Sequence, residues 1–170
     1  TDAQSGYRVK VTLKPGLPLG TFEQKILIGT NLESASSVVI PILGKVTGDI
    51  TVVGQGWNEE ANLLRLGTLN SEKGARRQLN LFARGPHRKE VDFQIIETFP
   101  KDLLQAKLGK TREINEGRSS QTPLIIEIPK GSRPANHLTS KQGKIGRILI
   151  KTGHPQIPQL NIRVSFAVKG

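Results

Sequence analysis

The chain has 170 residues, no Cys, and a net charge of +11 from 25 basic and 14 acidic side chains. The missing Cys excludes disulfides, Cys-ligated zinc and thiol catalysis, and no run approaches the roughly 18 apolar residues of a membrane-spanning helix. The charge is uneven, because residues 128–170 carry 8 basic side chains and no acidic one. With neither a signal-peptide pattern nor Met, we expect the chain to be a piece of a longer protein.

The N-terminal third alternates between apolar runs and turn residues. Residues 7–13 alternate apolar and polar side chains, which predicts a strand, and a loop rich in Pro and Gly follows it. Residues 25–30 and 38–46 predict two more strands, and the short polar segment between them favours an antiparallel hairpin.

The remaining chain predicts short strands at roughly ten-residue spacing, which is typical of a β-sandwich. Residues 110–122 are polar and predict a loop, whereas 103–108 fit a strand or one short helix, with the strand favoured. Phe82, Phe93 and Phe166 are predicted to lie in the core. The other predicted strands are 48–54, 63–66, 78–83, 91–95, 124–128, 145–152 and 160–168.

One stretch of the chain occurs twice. Residues 25–48 align without a gap on residues 147–170, at a shift of about 122 positions. The matched pairs include Ile26 with Ile148, Thr30 with Thr152, and Ile40 with Ile162. The sequence therefore predicts two equivalent hairpins at the ends of two related units.

The predicted fold is all-β, an immunoglobulin-like β-sandwich with Greek-key antiparallel sheets. Residues 48–170 supply the seven or eight strands of one complete domain. Residues 1–47 match only the C-terminal half of a preceding domain, which is too short to be stable alone and leaves strand edges unpaired. We expect this half to borrow strands from the second domain or from another chain.

These segments resemble a family of bacterial proteins. The segments are Leu66-Gly-Thr-Leu69, Arg77-Gln-Leu-Asn-Leu81, a loop rich in Pro and Gly, and the terminal stretch 143–170 with its earlier copy 20–48. The pattern is similar to immunoglobulin-like domains of unknown function, related to PapD-like sandwiches, that repeat in exported proteins of planctomycetes and similar bacteria. The resemblance implies an extracytoplasmic setting, periplasmic or in the cell envelope, and no catalytic residue. Membrane anchoring through a missing N-terminal segment is a further expectation.

No arrangement of residues predicts catalysis, a cofactor or a metal. His87, His137 and His154 have no ligand spacing and are expected to be exposed loop residues. The glycines fit turns rather than a phosphate-binding loop. The acidic residues Glu59 and Glu60, and those between 90 and 116, are interpreted as a solvated face. An enzyme within these residues is therefore not expected.

The basic residues form the one candidate binding face. Alternation in the last hairpin directs Arg147, Lys151, Arg163 and Lys169 outward, where four cations on one sheet face would suit an acidic polymer. The alternative is that these cations keep the sheet soluble and block edge pairing. Nucleic acid is disfavoured as the partner, because no aromatic stacking platform and no helix for the major groove are predicted. A second basic cluster contains Arg76, Arg77, Arg88 and Lys89.

Trp57 is the only Trp and lies at the predicted junction of the two domains. It is interpreted as an interface anchor, since Trp is enriched at binding hot spots, or as a plug between two sandwiches.

The leading functional hypothesis is a non-enzymatic structural or protein-interaction repeat, whose partners are proteins or neighbouring domains of the same chain. A polyanion-binding module is the alternative, and an accessory domain of an enzyme encoded elsewhere in the gene is a third possibility.

Overall fold

A computed structural model describes residues 8–12, 20–32, 35–46, 48–138 and 144–170. The chain divides into two compact units, the N-terminal unit of residues 1–48 and the C-terminal unit of residues 49–170. The described residues are all-β, with strands and turns but no α-helix. They contain no helix of the length and apolar character needed to cross a membrane.

The N-terminal unit contains one antiparallel hairpin, formed by β1 (Gly20–Gly29) and β2 (Ser37–Val46). This confirms the predicted hairpin. The predicted strand at 7–13 is wrong for residues 8–12, which have no regular structure, while residues 7 and 13 lie outside the described part. The side chains of residues 8–12 are exposed, so alternation there has no buried face to stabilise a strand.

The C-terminal unit contains a five-stranded and a six-stranded sheet. In the five-stranded sheet the order is β3-β6-β10-β8, and β9 also pairs with β10. Its strands are β3 (Ile50–Gly54), β6 (Ala75–Arg84), β8 (Gln105–Leu108), β9 (Arg112–Ile114) and β10 (Ser119–Ile128).

The six-stranded sheet has the order β4-β5-β13-β12-β7, and β11 also pairs with β13. Its strands are β4 (Trp57–Asn58), β5 (Leu63–Asn70), β7 (Gln94–Phe99), β11 (Ala135–His137), β12 (Gly146–Lys151) and β13 (Gln159–Lys169). The expectation of purely antiparallel sheets is wrong here, because β5 and β13 are parallel. These two strands lie far apart in the sequence, which leaves room for the crossover connection that a parallel pair requires.

One hydrophobic core joins the two sheets of the C-terminal unit, as in a β-sandwich. Alternate residues of β6 and β10 face alternate residues of β12 and β13, and Phe166 is the largest fully buried side chain. Phe93 and Phe166 are buried as predicted, whereas Phe82 is only half-buried, since Leu79, Leu81 and Ala83 take the inward positions of its strand. The residues of the core are Ile50, Leu64, Leu79, Leu81, Phe93, Leu103, Leu104, Leu124, Ile126, Ile128, Ile148, Ile150, Ile162, Val164, Phe166 and Val168.

Several strand boundaries differ from the prediction. The predicted loop at 110–122 contains β9 and the start of β10, and the strand predicted at 91–95 begins only at Gln94. Pro123 lies inside β10, where its carbonyl accepts the N–H of Gly109 at 2.7 Å. This side of Pro123 faces the gap between β8 and β9, so the pairing needs no N–H from the proline. The ambiguous segment at 103–108 is a turn followed by β8, so the strand was the better alternative.

The internal repeat is reproduced in the pairing of the strands. Shifted by 122 positions, the register of β1 with β2 coincides with that of β12 with β13, so that Ile26 opposite Ile40 corresponds to Ile148 opposite Ile162. Every β1–β2 pair from Gln24 opposite Ile42 onward has such an equivalent.

The two turns also form the same hydrogen bonds. The hydroxyl of Thr30 donates to the Ala35 carbonyl and accepts the N–H of Leu32 at 3.1 Å. The hydroxyl of Thr152 donates to the carbonyl at the equivalent position and accepts the N–H of His154 at 3.0 Å. The two hairpins are therefore equivalent in pairing and in turn chemistry.

Candidate functional site

The eight predicted anion-binding residues do not form one face. They fall into three places: the outer face of the six-stranded sheet, the end of β6, and the turn after β6. Arg147 and Arg163 are directly opposite each other on β12 and β13. All eight are exposed except Arg88, which is half-buried.

Arg147 and Arg163 line a groove of about 460 Å³, called here the Arg147–Arg163 groove. The strand register sets its floor, because Phe99 on β7 is opposite Arg147, which is opposite Arg163. Within the described ranges, the residues that line the groove are Phe99, Lys144, Ile145, Arg147, Asn161 and Arg163. None of them is acidic, and Glu97, which lies outside the lining, pairs with Arg147, so Lys144 and Arg163 supply the excess positive charge.

The two arginines of this groove differ in their hydrogen bonding. Arg147 donates from Nε and Nη2 to Oε1 of Glu97 at 3.0 and 2.6 Å, and this ion pair holds its guanidinium in place. The Arg163 side chain forms no hydrogen bond or ion pair with any described residue. One cation is therefore fixed and the other is free for an anionic ligand.

Lys144 is the third cation of the groove, and its backbone carbonyl is hydrogen-bonded to the imidazole ring of His137. Nδ1 of His137 lies 2.6 Å from the Lys144 carbonyl, so Nδ1 carries the proton and donates. The ring of His137 also contacts Phe99, at 6.1 Å between centroids, and Phe166, at 5.0 Å. The expectation that His137 is an exposed loop residue is wrong, because it lies half-buried on β11 between these two rings.

Lys151 and Lys169 point outward as predicted but lie away from the groove. Lys151 is opposite Gln159 at one end of β12, and Lys169 is beside Asn70 at the far end of β13. Because a strand rises roughly 3.3 Å per residue, the six residues from Arg163 to Lys169 span about 20 Å. The outer face therefore carries separated cations and not a cluster of four.

Arg76 and Arg77 line a second groove of about 460 Å³ at the end of the five-stranded sheet, together with Lys73 and Lys130. Glu127 lines the same groove and is opposite Arg76 in the strand register. The carboxylate of Glu127 competes with any anionic ligand for the nearby cations. This groove is therefore the weaker candidate for anion binding.

Arg88 and Lys89 lie in the turn after β6. Arg88 donates from Nε to the carbonyl of Gly117 at 2.7 Å, which occupies part of its guanidinium with the backbone. Lys89 is exposed. Neither residue lines a groove with Arg76 or Arg77, so the predicted cluster over 73–89 is divided between the two ends of β6.

His154 is buried, which corrects the expectation of an exposed loop residue. It is only 2% exposed, because the turn between β12 and β13 folds over it. Its Nδ1 accepts the N–H groups of Gln156 at 3.1 Å and Ile157 at 3.2 Å, and its Nε2 donates to Asp49 Oδ2 at 3.2 Å. Both ring nitrogens are occupied, so His154 joins the start of the C-terminal unit to its last hairpin.

His87 packs edge-on against His154, with ring centroids 5.3 Å apart. Its Nδ1 lies 2.9 Å from Oε1 of Glu90, whose side chain is 58% exposed. The position in a turn is as predicted, but the ring is half-buried and not exposed. Within the parts of the chain that the structure describes, no three His, Asp or Glu side chains are grouped as metal ligands.

Trp57 forms β4 with Asn58 and is opposite Leu64 of β5. The ring is half-buried and packs against the core of the C-terminal unit, and its Nε1 is buried without a hydrogen-bond partner among the described residues. The sequence predicted no strand here. Packing on its own unit accounts for the burial of Trp57, and its role at the domain junction stays a prediction.

Sequence reasoning missed four residues of the Arg147–Arg163 groove: Phe99, Lys144, Ile145 and Asn161. Phe99 lies on a neighbouring strand whose register only the structure reveals. The link between Asp49 and His154 was also missed, since 105 positions separate the two residues. Comparison of the chain with protein-family models, with curated proteins and with solved structures finds no match.

Proposed function

We propose that the chain is a non-enzymatic structural or protein-interaction module. The observation that carries this proposal is the apolar surface of the β1–β2 hairpin. On one face Val38 and Ile40 are 42% and 41% exposed, and on the other face Leu27 and Leu43 are 71% and 75% exposed. Large exposed apolar patches mark interaction sites, and an isolated two-stranded hairpin is marginally stable at best.

The equivalent hairpin indicates what kind of partner β1 and β2 require. In the C-terminal unit β12 pairs with β7, β13 pairs with β5, and Ile162 is 1% exposed where its equivalent Ile40 is 41% exposed. The same register in β1 and β2 supports an assignment as the last hairpin of a preceding immunoglobulin-like domain. Its partner is then another chain or segment that supplies two flanking strands and an apolar sheet.

The setting and the lack of an enzymatic activity are part of the same proposal. The resemblance of the terminal stretches to repeated domains of exported bacterial proteins supports an extracytoplasmic location. Occupation of both ring nitrogens of His154 by structural hydrogen bonds supports a structural role for the most buried histidine. Cell fractionation tests the location: an exported protein is recovered from the envelope or periplasmic fraction, and recovery only from the cytoplasm contradicts the proposal.

The interaction surface is tested by light scattering on the purified chain over a range of concentrations. With only copies of itself in solution, the exposed apolar hairpin is expected to self-associate, and Ile40→Asp is expected to return the chain to a monomer. Ser37→Asp is the matched control, because it adds the same charge to an exposed polar position of β2. A chain that is monomeric at all concentrations, with residues 1–47 rapidly cleaved by protease, contradicts the proposal.

A further inference from the structure

We propose that the Arg147–Arg163 groove binds one anionic sugar unit of an acidic polysaccharide. This site lies in the C-terminal unit and is independent of the interaction proposed for the β1–β2 hairpin. Its volume of about 460 Å³ falls within the roughly 300–1,000 Å³ typical of small-ligand sites. The groove is therefore large enough to hold one sugar unit of a polysaccharide.

The charges of the groove favour an anionic ligand, because Glu97 compensates Arg147 only and leaves the charges of Lys144 and Arg163. Lys144, Arg147 and Arg163 line it without an acidic residue, and the Arg163 guanidinium has no partner among the described residues. A guanidinium presents a planar fork that matches a carboxylate or sulfate. Asn161 adds amide donor and acceptor groups beside this fork. Phe99 and Ile145 supply apolar contact for the body that carries the charge.

The equivalent hairpin acts as an internal control for these cations. At the positions of Arg163, Asn161 and Arg147, the β1–β2 hairpin has Pro41, Val39 and Lys25. The same register and turn therefore form without two arginines and without the amide. Arg163 and Asn161 are thus not required to build the hairpin, which favours a binding role for them, whereas the position of Arg147 is basic in both copies.

Around Arg147 the surrounding strands leave no place for the common way of binding a peptide, since the edge of this sheet is the far side of β7. A peptide that adds to a sheet needs a free strand edge with unpaired backbone groups. At the groove β12 is paired with β7 on one side and with β13 on the other. No such edge is present between these strands, so the floor of the groove offers side chains only.

The distribution of cations argues against a nucleic acid. Binding to a phosphate backbone uses a continuous row of cations, and single strands also use stacked aromatic rings. Lys151 and Lys169 lie away from the groove, and Arg76 and Arg77 belong to the other sheet. Among the described residues, Phe99 is the only aromatic one that lines the groove. A polymer of charged sugars needs only one such subsite per bound unit.

The test compares two charge reversals on the same strand of the full chain. Arg163→Glu and Lys169→Glu change the net charge equally, both positions are exposed, and both lie on β13. Binding is measured by calorimetry at 0.15 M salt, with polygalacturonate as the carboxylated probe and heparin as the sulfated probe. Arg163→Glu is expected to weaken binding at least tenfold. Lys169→Glu is expected to change it less than about threefold, because about 20 Å exceeds the ~8 Å screening length.

Further measurements decide between this site and general charge attraction. Arg163→Gln removes the charge with little change of size, and an unchanged unfolding midpoint shows that the loss of binding is not a loss of fold. Preference for polygalacturonate or for heparin identifies the anionic group. Equal losses in the two Glu variants, or no binding to either probe at 0.05 M salt, overturn the proposal. Tighter binding to duplex DNA or to polyglutamate with the same dependence on Arg163 also overturns it.

Discussion

Replacing His154 by Leu removes three hydrogen bonds from the turn between β12 and β13 without opening a large cavity. The ring accepts the N–H groups of Gln156 and Ile157 at Nδ1 and donates from Nε2 to Asp49. Leu fills a similar volume but offers neither an acceptor nor a donor. The equivalent residue of the first hairpin is Leu32. The substitution therefore also tests whether the turn between β12 and β13 forms without the imidazole ring of His154.

The size of the effect follows from the groups that lose their partners. A buried N–H left without an acceptor costs about 1–3 kcal/mol. Gln156 is exposed and Ile157 is half-buried, so water reaches these N–H groups in part and the lower end applies to each. We expect a loss of about 2–4 kcal/mol in the free energy of unfolding of the C-terminal unit. For its 122 residues this corresponds to a midpoint roughly 10 °C lower.

Thermal and urea unfolding of the full chain, followed by circular dichroism, measures this loss. His87→Leu is the matched control, because its ring is half-buried and its partner Glu90 is 58% exposed. An exposed ion pair contributes little, so the control is expected to lose less than about 1 kcal/mol. If His154→Leu loses no more than His87→Leu, the hydrogen bonds of His154 do not hold the turn and the reasoning is refuted.

The same turn gives two more tests by unfolding, each with a matched control elsewhere in the chain. Gly153 has φ +74° and a Cβ there would lie 2.6 Å from the Glu90 carbonyl oxygen, so Gly153→Ala is expected to cost more than about 2 kcal/mol. Gly131→Ala, at φ +76° with open space around it, is expected to cost only about 1 kcal/mol of backbone strain, and equal losses contradict this account. Thr152→Val removes a buried hydroxyl that bonds twice and is expected to cost about 1–3 kcal/mol. Thr30→Val, in the other unit, is expected to leave the unfolding of residues 49–170 unchanged because its hydroxyl bonds within residues 30–35, and a lowered midpoint of that unfolding would contradict this account.

The repeat explains why the last hairpin was the best-predicted part of the fold. Alternation assigned Ile148, Ile150 and Ile162 inward, and all three are at most 1% exposed. A period of two leaves no second register that would bury these residues together. The second copy of the pattern supported the prediction of this hairpin, because a shift of 122 positions aligns both strands and the turn.

The strand β10 was predicted too short because its first half is polar. Residues 119–122 are Ser, Ser, Gln and Thr, which alternation does not distinguish from a loop. The structure stabilises this half by pairing it with β6 on one side and β9 on the other. Pairing with distant strands is a tertiary effect, so local sequence does not contain it.

The groove and the buried histidine were missed for a related reason. The sequence placed Arg147 and Arg163 outward correctly, but it gave no register for β7 and therefore no position for Phe99. It placed His154 in a turn but did not show that Asp49 approaches from the start of the unit. Individual side-chain directions follow from alternation, whereas the grouping of side chains from three strands does not.

Two differences between the equivalent hairpins limit the partners that β1 and β2 accept. Gly44 stands at the position of Phe166, the largest fully buried side chain of the core, so exchange of the first hairpin into the C-terminal unit of another copy would leave a large cavity. Pro41 stands at the position of Arg163, whose N–H donates to the Asn62 carbonyl at 2.9 Å, and proline has no N–H to replace this bond. An exchange of the two hairpins is therefore unfavourable at the core and at the strand edge. The sheet that completes the first hairpin must carry a larger residue opposite Gly44. Its flanking strand must also form no hydrogen bond that needs a backbone N–H from Pro41.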